Sequence, residues 1–317
     1  MIFEAGSRNS GTLFFMNTDM KLTVIGLGLI GGSMAKDLRR TGFATEITGV
    51  ECDEGNAAEA MRLGLVDRIE PLEAAVKWAD LVILAVPVDV VLQILPVILD
   101  NIGSHTTVTD MGSTKRQLTE KVAKHLNRRN YVPAHPMAGT ENSGPSAALE
   151  NLFLGKIAII CDHDQSGPQH LALVEKMFYA LGMHIAYMTS DEQDHSTAFI
   201  SHLPHAAAFS LANAVLDKED RQIIFDLASG GFNSTVRLAK SSRAMWQPIF
   251  EQNHDYMVES LNVYIRHLEQ FRDALRDKDS HKLEELICNA NRIRSILDGE
   301  NHQFRRNEET IVKFYTK

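Results

Sequence analysis

Cysteine is scarce. The 317 residues hold three, Cys52, Cys161 and Cys288, far apart and without a CxxC pair. A disulfide framework and a thiolate zinc site are therefore excluded as organising devices, and a reducing cytoplasm is the expected home. Positive charge is also in deficit: Lys+Arg 32 against Asp+Glu 41 leaves −9. Such a chain has no electrostatic case for gripping a nucleic-acid backbone. Long apolar runs are missing too. The most apolar stretch, Leu81 to Leu99, is interrupted by Pro87, Asp89, Gln93 and Pro96, short of the roughly 20 residues a membrane span needs. The opening twenty residues carry Glu4 and no long apolar segment of the secretory kind. They read as a short polar extension (1–20), with Met16 and Met20 as alternative starts to Met1. Neither an internal repeat nor a low-complexity linker is seen.

What is present is ordinary globular composition, 44% hydrophobic and 23% charged. The length suits about two domains and a core that needs no covalent staples. From Lys21 the chain alternates β-rich and helical patterns. Strands are expected at Leu22–Gly26, Glu46–Val50, Leu81–Val86, Thr106–Thr109, Tyr131–Ala134 and Ile157–Cys161. Helices are expected at Ile30–Arg40, Asn56–Leu63, Lys115–Leu126 and Gln169–Leu181. The nearly all-apolar third strand suits a parallel sheet covered on both faces. The alternation predicts a doubly wound, Rossmann-type α/β domain over residues 21–188. After Met188 the strand patterns stop, and amphipathic helices are expected at Ser190–Leu216, Arg221–Leu227, Trp246–Arg276 and from His281 to Asn291. An all-helical second domain (189–317) follows. Leu261, Ile265, Leu268 and Leu275 recur at helical steps, serving either its core or a homodimer interface.

The first strand runs into Gly26-Leu27-Gly28-Leu29-Ile30-Gly31, which opens a helix, and Glu51 ends the second strand some twenty residues later. In that context the glycine pattern predicts a dinucleotide site. Gly26 allows the tight turn, Gly28 the approach of the pyrophosphate, and Gly31 close helix–strand packing, while Leu29 and Ile30 start the helix whose free N–H groups face phosphate. Glu51 would accept from the ribose hydroxyls and repel a 2′-phosphate, so NAD is favoured over NADP. The Ala85-Val86-Pro87 turn ends the third strand, where a doubly wound sheet opens its ligand crevice.

Four further clusters follow in order: Asp110-Met111-Gly112-Ser113-Thr114-Lys115, His135-Pro136-Met137-Ala138-Gly139-Thr140-Glu141, Ser201-His202-Leu203-Pro204-His205, and Gly230-Gly231-Phe232 with Arg237-Leu238-Ala239. Behind the glycine loop, this ordered set resembles the prephenate/arogenate dehydrogenase family of tyrosine biosynthesis, from Lys21 to about Asn291. The resemblance implies oxidative decarboxylation of a cyclohexadienol: hydride passes to nicotinamide, the 4-hydroxyl loses its proton, CO2 leaves and the ring becomes aromatic. It implies His135 as the base, suited by an imidazole pKa near 6.5. Ser113 would orient it, and Arg237 would clamp the ring carboxylate through its guanidinium fork. His205, His202, Ser201, Gly139 and Thr140 would line the substrate pocket.

The chain also departs from the family pattern. Asn233, Ser234 and Val236 stand where many relatives carry an Arg-Asp pair and a threonine, so no acidic partner for Arg237 is visible in the sequence. His195, His202 and His205 fall at spacings that could share a helix face, but no carboxylate or thiol accompanies them at a matching step and Pro204 disturbs the helix, so no metal site is expected. Prephenate is the expected substrate. Arogenate is the near alternative, with Glu141 as the candidate partner for its ammonium. A non-catalytic NAD sensor and a β-hydroxyacid dehydrogenase or imine reductase are the readings from other classes.

Overall fold

A computed structural model describes residues 20–218 and 226–297. Eight strands form one sheet: β1 (Lys21–Ile25), β2 (Glu46–Val50), β3 (Arg68–Ile69), β4 (Leu81–Leu84), β5 (Thr107–Asp110), β6 (Tyr131–Pro136), β7 (Ile157–Cys161) and β8 (His184–Met188). Their spatial order is β3-β2-β1-β4-β5-β6-β7-β8. Helices α1 (Leu29–Arg40), α2 (Glu54–Arg62), α3 (Leu72–Trp78), α4 (Val88–Asn101), α5 (Arg116–Val122) and α6 (Pro168–Ala180) cover it. Residues alternate between the two faces along each strand. Leu22, Val24 and Ile83 therefore join one core with Met34 and Leu38, while Ile25, Val82 and Leu84 join another with Val91 and Leu118. Both faces of β4 are buried, as its unbroken LVIL predicts.

One strand runs against expectation. β7 pairs with β6 antiparallel, His135 opposite Ile159, whereas every other pair in the sheet is parallel. The reason lies in the connection. Residues 137–156 contain a single 3-10 turn and no crossover helix, so the chain returns from the sheet edge at which it left. This return lies over α1: the backbone N–H of Leu149 donates to Ser33 Oγ (2.9 Å) and that of Asn151 to the buried Asp37 carboxylate (2.9 Å). β3 and β8, absent from the strands expected by pattern, complete the edges.

Among the described residues helices alone follow: α7 (Ser190–Thr197), α8 (Leu203–Leu216), α9 (Gly230–Val236), α10 (Arg243–Gln252), α11 (His254–Arg276), α12 (Ser280–Asn291) and α13 (Ile293–Leu297). The helix expected over Arg221–Leu227 falls largely outside the described residues, as do the extension before Met20 and the tail after Leu297. The stretch 190–216 is one helical run widened to π geometry at Ala198–His202, just before Pro204, which has no N–H to donate. Among the described residues this run alone is long and apolar enough, by length and composition, to cross a membrane. The helix expected over Trp246–Arg276 is two: Asn253 breaks it because its side chain is drawn inward, Nδ2 donating to the Asp194 carbonyl (2.7 Å).

Candidate active site

The dinucleotide loop has the geometry its glycines require. Gly26 sits at φ +87°, and a Cβ there would lie 2.6 Å from the Ala85 carbonyl. At Gly31 a Cβ would meet the Gly26 carbonyl at 2.0 Å, so α1 rests directly on the strand. Gly28 caps α1 without a side chain and faces open space, its nearest neighbour being the Gly144 nitrogen at 3.9 Å. Leu29 and Ile30 begin the helix. The free N–H row of α1 thus opens into a cradle lined by backbone. Glu51 ends β2 beside it: Oε2 accepts from the Leu27 N–H (3.2 Å) and Oε1 from the Asp53 N–H (3.1 Å). Its carboxylate is thereby fixed at the rim, where it can accept from a ribose. Ala85, Val86 and Pro87 form the half-buried turn between β4 and α4. These residues fit a dinucleotide.

His135 lies on β6 and is buried. Burial first, then the positive charge of Lys115 and the neighbouring His202, lower its pKa to about 3. Its imidazole is neutral at any physiological pH. Lys115 is itself wholly buried and paired with Asp110, which also accepts from Tyr131 Oη (2.6 Å). Ser113 approaches His135 indirectly: its carbonyl accepts from Gln193 Nε2 (3.2 Å), and among the described residues no hydrogen bond joins its hydroxyl to the imidazole. Gly139 is exposed, and Thr140 Oγ1 accepts from the Asn142 N–H (3.2 Å).

From the helical side, His202 is fully buried and burial pushes its pKa down to about 4. His205 is part-buried, donates from Nδ1 to the Ser201 carbonyl (2.9 Å) and stacks on Trp246 with ring centres 3.5 Å apart. Arg237 comes close enough to His205 to lower its pKa further, after burial. It does have an acidic partner: Nη1 donates to Glu141 Oε2 at 2.8 Å. The expectation that this partner is missing is corrected, because it comes from the loop after β6, 96 residues away, and not from the arginine's own segment. His195 turns away from its two fellow histidines to Glu259 (3.6 Å) and Tyr256.

The two halves are joined by polar contacts that motifs do not announce. Asp194 of α7 accepts from the N–H groups of Lys115 (2.7 Å) and Arg116 (2.9 Å), capping α5 of the sheet domain. Its burial raises its pKa to about 6 against those same hydrogen bonds. Thr114 Oγ1 donates to Gln252 Oε1 (2.7 Å), and Arg116 reaches Asp255 (3.2 Å). Around this seam several buried polar atoms have no hydrogen-bond partner: His135 Nδ1, Gln193 Oε1, His202 Nε2, Trp246 Nε1, Gln252 Nε2 and Asn253 Oδ1. Such atoms are unusual in a folded interior and concentrate where a ligand is handled.

A dinucleotide cradle on a sheet that also carries a buried neutral histidine, joined through buried polar contacts to a helical half, defines a two-domain, nicotinamide-dependent dehydrogenase. The family descriptions "Prephenate dehydrogenase, nucleotide-binding domain" and "Prephenate dehydrogenase, dimerization domain" match residues 34–187 and 189–289. The chain is 32% identical to a prephenate dehydrogenase of Bacillus subtilis over 270 residues, 83% of this chain and 73% of that one. It is 30% identical to a cyclohexadienyl dehydrogenase of Zymomonas mobilis over 283 residues, 87% and 95% of the two chains. The crystal structure of a prephenate dehydrogenase from A. aeolicus, in complex with hydroxyphenyl propionate and NAD+, superposes with a TM-score of 0.78 at 28% identity, covering 88% of this chain and 99% of that one. A Synechocystis arogenate dehydrogenase gives 0.71 at 28% identity, covering 87% and 99%. The chain belongs to the prephenate dehydrogenase family.

Proposed function

We infer that the protein is an NAD-dependent prephenate dehydrogenase, converting prephenate to 4-hydroxyphenylpyruvate with loss of CO2, in tyrosine biosynthesis. The observation that carries this reading is the buried, neutral imidazole of His135, near Lys115, His202 and Gln193, in a chain whose glycine loop fits a dinucleotide. Bound NAD supplies the hydride acceptor. Nε2 of His135 accepts the proton of the substrate's 4-hydroxyl, and a low pKa keeps that lone pair free before the step. Lys115 supports this by disfavouring imidazolium in the resting site. Arg237 clamps the ring carboxylate through the N–H donors that its bond from Nη1 to Glu141 leaves open. His205, held by the Ser201 carbonyl and Trp246, and His202 wall the pocket, with Gly139 and Thr140 at its mouth. Ser113 reaches the substrate hydroxyl. Gly26, Gly28, Leu29, Ile30, Gly31 and Glu51 would hold the cofactor, with Ala85, Val86 and Pro87 at the end of β4 against the loop.

Prephenate is preferred to arogenate because the Glu141 carboxylate is already neutralised by Arg237 and has no charge to spare for an ammonium. We place the domain boundary at Met188, after the last strand, and the enzyme in the cytoplasm. The helical half forms a homodimer: Ile265, Leu268 and Leu275 stay 48%, 50% and 58% exposed in the single chain, an apolar stripe that no element among the described residues covers. Purified protein given NAD and prephenate is expected to produce NADH and CO2 in equal amounts. Product from arogenate with a kcat/KM at least about tenfold higher would reverse the substrate assignment, and cofactor binding without turnover would leave only a sensor.

A further inference from the structure

Gln193 lies in α7 with none of its surface exposed. Its amide nitrogen faces three oxygens: the Ser113 carbonyl (3.2 Å), Asp194 Oδ1 (3.1 Å) and Thr197 Oγ1 (3.1 Å). Thr197 directs its own proton to the carbonyls of Gln193 (2.9 Å) and Asp194 (3.3 Å), so its oxygen offers a lone pair to the amide. Turning the amide over would set Oε1 against a carbonyl and a carboxylate. The network therefore fixes which end is nitrogen.

Oε1 is left on the opposite side, buried and without a donor, and Nδ1 of His135 is likewise buried and without a partner. Gln193 is close enough to that imidazole to favour its charged form. An orphan acceptor and an orphan ring nitrogen in one buried site satisfy each other if Nδ1 carries the proton. We propose that Gln193 is the positioning residue for His135, its Oε1 accepting from Nδ1–H and so reserving the Nε2 lone pair for the substrate. This rests on the reading of His135 as the base.

The other groups facing the ring sharpen the assignment. Lys115, held by Asp110, opposes imidazolium, and Asp194 is occupied with the N–H groups of α5. His202 accepts at Nδ1 from Asn253 Nδ2 (3.1 Å), which is fixed by its bond to the Asp194 carbonyl, so its Nε2 carries a proton. A proton donor beside His135 would favour the opposite tautomer, with Nε2 blocked. The glutamine oxygen is the group that selects the productive one. As Nε2 takes up the substrate proton, the same oxygen stabilises the imidazolium.

Long-range 1H–15N spectra of 15N-histidine-labelled protein test this directly, the His135 signal being assigned by its loss in His135→Asn. Wild type is expected to show protonated Nδ1 and bare Nε2. Gln193→Leu should mix or invert the tautomers and lower kcat by at least about tenfold, the consequence of a misprotonated imidazole, with KM for prephenate and Kd for NAD within about twofold. Gln193→Glu should restore the tautomer and move the acid limb of kcat/KM toward neutral pH, a shift that mere packing damage does not produce. A protonated Nε2 in wild type, or an unchanged tautomer and kcat in Gln193→Leu, overturns the proposal. If Gln193→Leu does not fold, an unmoved acid limb in Gln193→Glu overturns it instead. Full turnover by His135→Asn overturns the base assignment alone, since the spectra still report whether glutamine and imidazole are paired.

Discussion

The dinucleotide loop and the seam between the halves solve opposite problems. At the loop, specificity is built from backbone: Gly26 and Gly31 allow approaches that no side chain permits, and Glu51 is held by two N–H groups. At the seam the fixed groups are buried side chains, such as Gln193, Asp194, Gln252 and Asn253. The loop is finished before anything binds. The seam is a set of buried donors and acceptors held in place by partners from both halves.

That contrast can be broken most sharply at His135. His135→Asn should reduce kcat by roughly 10² or more while leaving NAD affinity nearly intact. Steady-state rates beside a direct NAD titration check it; a matching loss of NAD binding would mean the two regions are not separate. Next is Gly31→Ala, whose Cβ would lie 2.0 Å from the Gly26 carbonyl. Overpacking of this kind costs about 1–3 kcal/mol, so both Tm and NAD affinity should fall, by calorimetry and titration, with no defect special to prephenate. Arg237→Ala removes a charge-assisted bond worth about 1.5–3 kcal/mol. KM for prephenate should rise by an order of magnitude or more, with the Kd for NAD unchanged; an unmoved KM would hand the carboxylate to Lys240 or Arg243.

Stability should also depend on pH. His135 and His202 have folded pKa values of about 3 and about 4, below the unfolded value near 6.5. Their neutral state favours folding fully above pH 6.5, and that contribution is lost as pH falls through 6.5 toward the folded values. Urea midpoints should therefore drop between pH 6.5 and 4.5, and His202→Phe should flatten that slope. The loop, which has no such histidine, contributes nothing to it.

The difference also explains what could be read without coordinates. The loop was legible because glycine spacing is a direct record of φ angles and close approaches, and the alternating apolar runs of β1 and β4 fix the sheet around it. His135, Ser113 and Arg237 are singled out in the sequence only through resemblance to a family. The antiparallel return of β7 is not legible there, because direction depends on where residues 137–156 travel. Gln193 was invisible for a physical reason: α7 reads SDEQDHST, polar on every face, and its inward side is chosen by contacts with Ser113 and the end of α5. Nor does composition disclose Glu141 as the partner of Arg237, since the two meet only after the halves have closed. Asn253 breaks a helix whose apolar spacing continues smoothly across it.

Asp194 terminates α5 from outside its own domain, so the nucleotide-binding half does not contain all of the atoms that complete it. A chimera that grafts this sheet onto a foreign helical half must carry the chain through at least Thr197. Cut at Met188, the transplant would leave two backbone amides of α5 to water and lose the carboxylate that registers one half against the other.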